Sequence, residues 1–341
     1  MKRKPNILGL KILFPLLIST FLNQNVNGFV KNNSDSLKTK IIFDTDMGPD
    51  YDDIGAITLL HAFEDRGDIE ILATVASDAH KHIPATIQVY NRYFKRDQIP
   101  VGKTESPLAP NFTAANNWNE IIIKQFYPEL LDKEYDSSVS VYRKVLANQP
   151  DNSVTIVTVG FMTNVSDLLK SKADKYSSLS GAELVKKKVK NWVAMAGAFP
   201  QGKEFNIHED AESSIYAFEN FPKPILFTGF EIGDKIKTGG KVAKLDLKDS
   251  PVSVGYKINF ETYAKEKVDS RSSWDQTAVL IAADNPEKYF YLSGPGFIKI
   301  EKDGSNSWEP NEKGRHRFVI HKYPYHKIEE IIDQLMIHSP K

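Results

Sequence analysis

The run Lys40-Ile41-Ile42-Phe43-Asp44-Thr45-Asp46-Met47-Gly48-Pro49-Asp50-Tyr51-Asp52-Asp53 constrains this chain more than any other stretch. An apolar strand feeds directly into five carboxylates gathered around one glycine, and no lysine or arginine stands among them to neutralise the charge. Like charges packed at a strand end repel one another and raise each other's pKa. A hard divalent cation takes oxygen ligands and removes that repulsion, which gives the cluster a reason to exist. The alternative is a solvated acidic turn, a common fate of short loops rich in aspartate and glycine. The flanking residues favour the cation. Ile54, Ile57, Leu59, Leu60 and Phe63 follow the acids at helical spacing, so the cluster joins the C-terminal end of a strand to a helix. Open α/β sheets place their sites at that position.

Short apolar runs alternate with amphipathic segments along the rest of the chain. Strands are predicted at 41–43, 69–76, 99–101, 154–159, 192–195 and 225–227, with helices near 85–94 and 164–170. This alternation predicts an α/β fold, an open and mostly parallel sheet flanked by helices, in a single domain over residues 39–341. A chain of 341 residues, 41% hydrophobic and 26% charged, has ample material for such a core. The more polar stretches 107–136 and 235–270 are expected to form a lid. A net charge of +0 leaves no electrostatic footprint for nucleic acid or an anionic membrane surface.

Residues 1–28 read as a signal peptide. Lys2, Arg3 and Lys4 precede an apolar run over 12–22 that is too short to span a bilayer. Gly28 is the best cleavage position, residues 29–38 form a flexible leader, and an uncleaved anchor is the alternative. The protein is therefore expected to be exported, to a periplasm or beyond the cell. Zero cysteines exclude a disulfide or a lipid-attached cysteine.

In an open α/β sheet the polar residues that follow each strand converge on one rim. Here that rim gathers the first acidic cluster, Ser77-Asp78 with His80 and His82, Val159 to Asn164, Gly197 to Asn206, and Trp274-Asp275. Acids, amides and backbone carbonyls dominate it; serine nucleophiles and phosphate-cradling glycine loops do not. Asn164 reads as the N-cap of the helix that begins there. Phe161 and Phe205 read as shapers of a pocket. Tyr51 either covers that pocket or packs on a neighbouring loop, and Arg271 either orients Asp275 or is exposed. His80 and His82 are weighed as acid–base groups against the commoner fate of a satisfied histidine.

Four motifs in order, Asp44-Thr45-Asp46-Met47-Gly48 with Asp52-Asp53, Val159-Gly160-Phe161-Met162-Thr163-Asn164, Glu204-Phe205-Asn206, and Trp274-Asp275, spread over nearly all of residues 40–285. Together they resemble the nucleoside hydrolase family, often labelled inosine-uridine preferring. The resemblance implies one Ca²⁺ at the bottom of a ribose pocket, with Asp46, Asp53, Asp275 and the backbone carbonyl of Val159 as ligands. It implies that Asp52, Glu204 and Asn206 hold the sugar; Asp78 and Trp274 are further substrate-binding candidates, at positions where this chain departs from the family. It further implies a nucleoside substrate and a homo-oligomer. Breaking an N-glycosidic bond builds positive charge on the ribose, which surrounding carboxylates favour. Asp46, touching both metal and water, is then the candidate general base.

Three departures from the family pattern bear on function. The acidic motif is two residues longer than the commonest form, so Asp50 competes with Asp52 for the sugar. Asp78 stands where asparagine is frequent. Trp274 stands where members commonly have a histidine that acts on the leaving base, and an indole cannot deliver a proton near neutral pH. Trp274 stacks on a base or simply packs at a helix start.

Other readings compete. Asp44-x-Asp46 after a strand resembles the nucleophile motif of haloacid-dehalogenase-type phosphatases, yet Gly48 stands where that motif wants threonine or valine. A calcium-dependent sugar or nucleoside binder of weak activity on the same fold is a second alternative. A third is a hydrolase of another N-riboside such as nicotinamide riboside, whose base leaves without needing a proton.

Overall fold

Strand β1 (Thr39–Thr45) is buried from Ile41 onward, and its side chains alternate between two cores. Ile41 and Phe43 enter one core and Ile42 the other. Period-two alternation into two apolar layers is what a parallel strand covered on both faces requires. The same division recurs along β5 (Val154–Thr158) and β6 (Val189–Met195): Val157 and Val193 face the first core, Ile156 and Trp192 the second. In this computed structural model the described residues are 38–48, 50–113, 117–262 and 269–341. The signal peptide and nearly all of the leader expected from the sequence lie outside them.

The remaining strands are β2 (Ile69–Ala76), β3 (Val101–Lys103), β4 (Asp136–Ser137), β7 (Gln201–Lys203), β8 (Ile225–Thr228), β9 (Lys237–Thr238), β10 (Arg271–Ser272), β11 (Phe290–Leu292), β12 (Gly296–Ile300), β13 (Ser305–Pro310) and β14 (Arg317–His321). Among the described residues, nine of the strands β1 to β14 form one sheet in the order β11-β14-β8-β6-β5-β1-β2-β3-β4. Every neighbouring pair in it is parallel except β11 with β14. The expected open, mostly parallel, helix-flanked sheet is thus the fold. The chain winds from β1 through β2, β3 and β4 to one side, then returns to β5 and winds through β6 and β8 to the other. The reversal leaves a crevice at the carboxyl ends of β1 and β5, the usual ligand position in such sheets.

The described parts of the stretches expected to form a lid include two helices built into the body. The helix Trp118–Phe126 buries Trp118, Ile122 and Ile123, and the helix Pro251–Thr262 buries Val252 and Tyr256. Both carry apolar residues at helical spacing beneath a polar average, so their buried faces outweigh their composition. β3 starts after Pro100, later than predicted, because proline lacks the N–H that the ladder needs. The C-terminal region adds β11, β14, the β12–β13–β7 sheet and the helix Tyr325–Met336. No helix among the described residues is long and apolar enough to cross a membrane.

Candidate active site

The helix Asp52–Arg66 begins with two acids, which places Asp52 and Asp53 in its first turn where the helix dipole favours negative charge. Asp50 caps that turn: its Oδ1 accepts from the backbone N–H groups of Tyr51 and, at 3.3 Å, Asp52. Its Oδ2 faces the Arg271 guanidinium at 3.4 Å. Arg271 therefore pairs with Asp50 rather than Asp275, because β10 brings it to the rim of the acidic loop. Tyr51 is fully buried and stacks on Trp118 with ring centres 5.0 Å apart, so it packs and does not cover the cleft.

Asp52, Asp53 and Asp275 each offer a carboxylate oxygen, and these oxygens lie within 4.8 Å of one another. Asp275 arrives from the helix Trp274–Ala283, whose backbone N–H at Asp275 donates to Asp52 Oδ2 at 3.0 Å. Asp53 is aimed by the Thr45 hydroxyl and by the Met47 N–H, both of which donate to its Oδ1. Asp46 lines the same cleft, and its carboxyl meets that of Asp53. Burial and then the neighbouring acids hold the carboxyls of Asp46, Asp52 and Asp275 well above the ordinary range. Burial also raises Asp53, to about 6, against the donors that favour its charged form. Buried carboxylates of one sign with only oxygen donors are the ligand set of a hard cation such as Ca²⁺ or Mg²⁺.

Asp44 points away from this cluster. It is fully buried, accepting from Tyr142 Oη at 2.8 Å and from Asn164 Nδ2 at 3.1 and 3.2 Å. Buried and walled off from the cleft, it cannot serve as a phosphatase nucleophile. Asn164 is accordingly not a helix cap. The helix begins at Thr163, and the Asn164 amide also donates to the Ala76 carbonyl at 2.9 Å, joining β1 and β2. Gly160 turns the chain at the end of β5 against the acidic loop. A Cβ there would lie 2.4 Å from the Asp46 nitrogen, so only glycine permits the approach.

Glu204 and Asn206 form the next part of the cleft. The Glu204 carboxyl caps the helix Phe205–Glu209, accepting from Asn206 N at 2.7 Å, Ile207 N at 3.2 Å and Gly197 N at 3.1 Å. Burial nevertheless brings its pKa up to about 7. The Asn206 side-chain amide donates to the Val159 carbonyl at 3.1 Å, so the backbone oxygen expected at the metal lies beside a sugar-binding candidate.

Aromatic side chains make the walls. The Trp274 Nε1–H donates to the Phe230 carbonyl at 2.9 Å, and the two rings stack with centres 5.5 Å apart. Gly233 leaves room for this, since a Cβ there would stand 2.3 Å from Trp274 Cα. Trp274 packs at the helix start against Phe230, and it also lines the cleft. Phe205 also lines the cleft, 42% exposed, backed by Phe161 and Phe112. The cleft has a volume of about 280 Å³ and is lined by Asp46, Asp50, Asp52, Asp53, Val159, Met195, Glu204, Phe205, Asn206, Phe230, Trp274 and Asp275. Phe230 and Met195 escaped the sequence reading, although each lies at or just past the carboxyl end of a strand, where the rim rule applies.

Asp78, His80 and His82 do not line this space. Asp78 is buried, and its two oxygens accept the backbone N–H of His80 at 2.6 Å and of Phe112 at 3.0 Å. Burial lowers the pKa of both histidines, and their rings contact each other edge to face.

Comparison with known proteins bears on this geometry. The model of the inosine-uridine preferring nucleoside hydrolase family matches residues 41–322. A purine-preferring ribonucleoside hydrolase from Gardnerella vaginalis has a similar structure, with a TM-score of 0.66 at 16% identity over 87% of this chain and 98% of that one. A plant nucleoside hydrolase gives 0.65 at 19% identity, again over 87% and 98%. An inosine-guanosine nucleoside hydrolase gives 0.67 at 18% identity with the same coverage. At such identities these likenesses establish the fold. A comparison with curated proteins returned no match. The matched stretch includes every residue that lines the cleft, and the chain belongs to the inosine-uridine preferring nucleoside hydrolase family, as an N-ribosyl hydrolase of ribonucleosides.

Proposed function

We propose that this cleft hydrolyses the N-glycosidic bond of purine and pyrimidine ribonucleosides in a calcium-dependent manner, with Asp46 as the general base. The observation that carries the reading is the convergence of Asp46, Asp52, Asp53 and Asp275 with Glu204 and Asn206 below walls formed by Phe205, Phe230 and Trp274. Acids suit a sugar that becomes cationic, and aromatic faces suit a planar base. The volume of about 280 Å³ fits a small ligand rather than a polymer.

Asp46, Asp53, Asp275 and the Val159 carbonyl would hold the ion, with Asp52 close enough to share in ligation while it orients a ribose hydroxyl. Calcium, when bound, supplies positive charge that clamps the vicinal hydroxyls and acidifies a neighbouring water. Asp46 takes the proton from the attacking water. Glu204 and Asn206 hold the far side of the sugar. The carboxylates favour the positive charge that grows on the ribose as the bond lengthens.

No histidine lines the described cleft, and the Trp274 N–H is already given to the Phe230 carbonyl. The base is therefore held by stacking and not by a histidine, and the ring nitrogen freed on bond cleavage takes its proton from solvent in the cleft. Two structural neighbours are named as acting on purine nucleosides, and a two-ring purine covers more of the aromatic walls than a pyrimidine does. Purine nucleosides are expected to have the higher kcat/KM. The basic and apolar N-terminal residues support export as the setting of this activity.

The test is release of reducing sugar from inosine, guanosine, adenosine, uridine, cytidine and nicotinamide riboside, for wild type and Asp53→Ala, with calcium or chelator. Release abolished by both chelation and the substitution supports the reading. Turnover that persists in chelator would refute the metal role. Turnover of nicotinamide riboside alone would move the activity to that substrate, and calcium binding without any turnover would make the protein a binder.

A further inference from the structure

We infer that Asp78 is a positioning residue that fastens the aromatic wall of the cleft from behind, acting on the base through Phe112 and Phe205. The substrate in this inference rests on the nucleoside reading, whereas the fastening itself stands on geometry independent of it.

Asp78 follows β2 and is 1% exposed, yet it is absent from the cleft lining. Both of its oxygens are used on backbone: Oδ1 accepts from His80 N and Oδ2 from Phe112 N at 3.0 Å. A second tie lies beside the first, from the Ala79 N–H to the Pro110 carbonyl at 2.8 Å. Residues 107–113 lie outside helix and strand, so no ladder holds them. Their register against the end of β2 depends on these few bonds.

What the Asp78 bond positions is the Phe112 ring. Its centre lies 5.8 Å from that of Phe161 and 5.5 Å from that of Phe205. Phe161 is fully buried and fixed; Phe205 lines the cleft. Phe112 thus braces an exposed ring against a rigid one. Phe205 also opens the helix that Glu204 caps, so its backbone is set while its side chain needs support. Phe112 is one of two rings behind Phe205, Phe161 being the other, so Phe112→Ala tests the wall without altering the charge that Asp78 places near Asp46 and Asp53.

A sugar-binding Asp78 makes a different prediction, so the two roles separate experimentally. Asp78→Ala, Phe112→Ala and the double variant would be compared with wild type for nucleoside KM, for inhibition by free ribose, and for amide hydrogen exchange across 107–113. Asp78→Ala, which removes the acceptor, and Phe112→Ala, which removes the ring, should each raise nucleoside KM by about fivefold or more, the scale of one ordinary hydrogen bond or one aromatic contact. Ribose inhibition should stay within about twofold of wild type. The double variant should be little worse than the worse single one, since both break one chain of contacts. Asp78→Ala should also speed exchange at the Phe112 amide. A ribose inhibition constant that rises in step with KM would overturn the inference, as would additive single effects. Should Asp78→Ala fail to fold, Asp78→Leu keeps side-chain bulk without any acceptor and must show the same exchange change at Phe112. If wild type turns over no nucleoside, the functional reading fails while exchange at Phe112 still decides the fastening: unchanged protection in the Asp78 variants would refute it.

Discussion

The charges are the most legible residues of this protein, and Asp46 is the sharpest test among them. Its carboxyl lies against Asp53 in a buried cluster of like charge, a position that packing alone does not favour. Asp46→Asn keeps the shape and removes the base. At saturating calcium kcat should fall about 10²- to 10⁴-fold, the usual worth of a general base, while ribose inhibition persists. Equal kcat in wild type and variant would remove Asp46 from that role. Trp274 is tested from the opposite direction. Trp274→Ala deletes its stack on Phe230, and nucleoside KM should rise about five- to tenfold, in line with ~1 kcal/mol for an aromatic contact. An unchanged KM would reduce Trp274 to packing. Acids like these are visible in the sequence because folding rarely gathers unneutralised carboxylates beside a strand unless a cation or a substrate uses them. The partner that each one takes is not visible there. Arg271 stands close before Asp275 in the chain, but it pairs with Asp50 because a two-residue strand carries it to the acidic loop.

At the level of elements, Asn164 shows where local reading stops. A polar residue at a helix start ordinarily caps the helix, and nothing in the local sequence distinguishes this one. Its amide instead joins the ends of β1 and β2 through Asp44 and the Ala76 carbonyl, and its oxygen accepts from Ser138 at 2.6 Å. Asn164→Ala strips donors from a fully buried acid. It should cost about 2–4 kcal/mol and lower Tm by several degrees. Asn164→Asp should be at least as damaging, since it sets a second carboxyl beside Asp44. Calorimetry that found either variant as stable as wild type would show that the junction contributes little. The central strands were readable because burial on both faces makes them near-continuous apolar runs. The C-terminal strands β11 to β14 are short and half exposed, so they lack that pattern, and their pairing depends on contacts far away in sequence.

Across the whole molecule, the buried acids link stability to pH and to the cation. Burial raises Glu204 to about 7 and Asp210 to about 6, while each would ionise near 4 in the unfolded chain. Between those values the folded state holds more protons than the unfolded one. Stability from these groups is therefore complete below about pH 4 and is lost as pH rises toward 6–7. Asp53, raised to about 6, follows the same sign without a cation. A cation reverses the logic at its own ligands, because it binds only their charged form and so binds more tightly as pH rises. The melting temperature in chelator should thus fall from pH 5 to pH 7.5. Excess calcium should add little at pH 5 and the most at pH 7.5. At about 100 times its Kd the ion supplies ~2.7 kcal/mol, a rise of roughly 5 °C for a domain of this size. In Asp53→Ala that calcium-dependent rise should shrink, while the decline in chelator persists through Glu204 and Asp210. Parallel melting curves with and without calcium at every pH would mean that the acidic cluster holds no cation, and protonation alone would then have to relieve its repulsion.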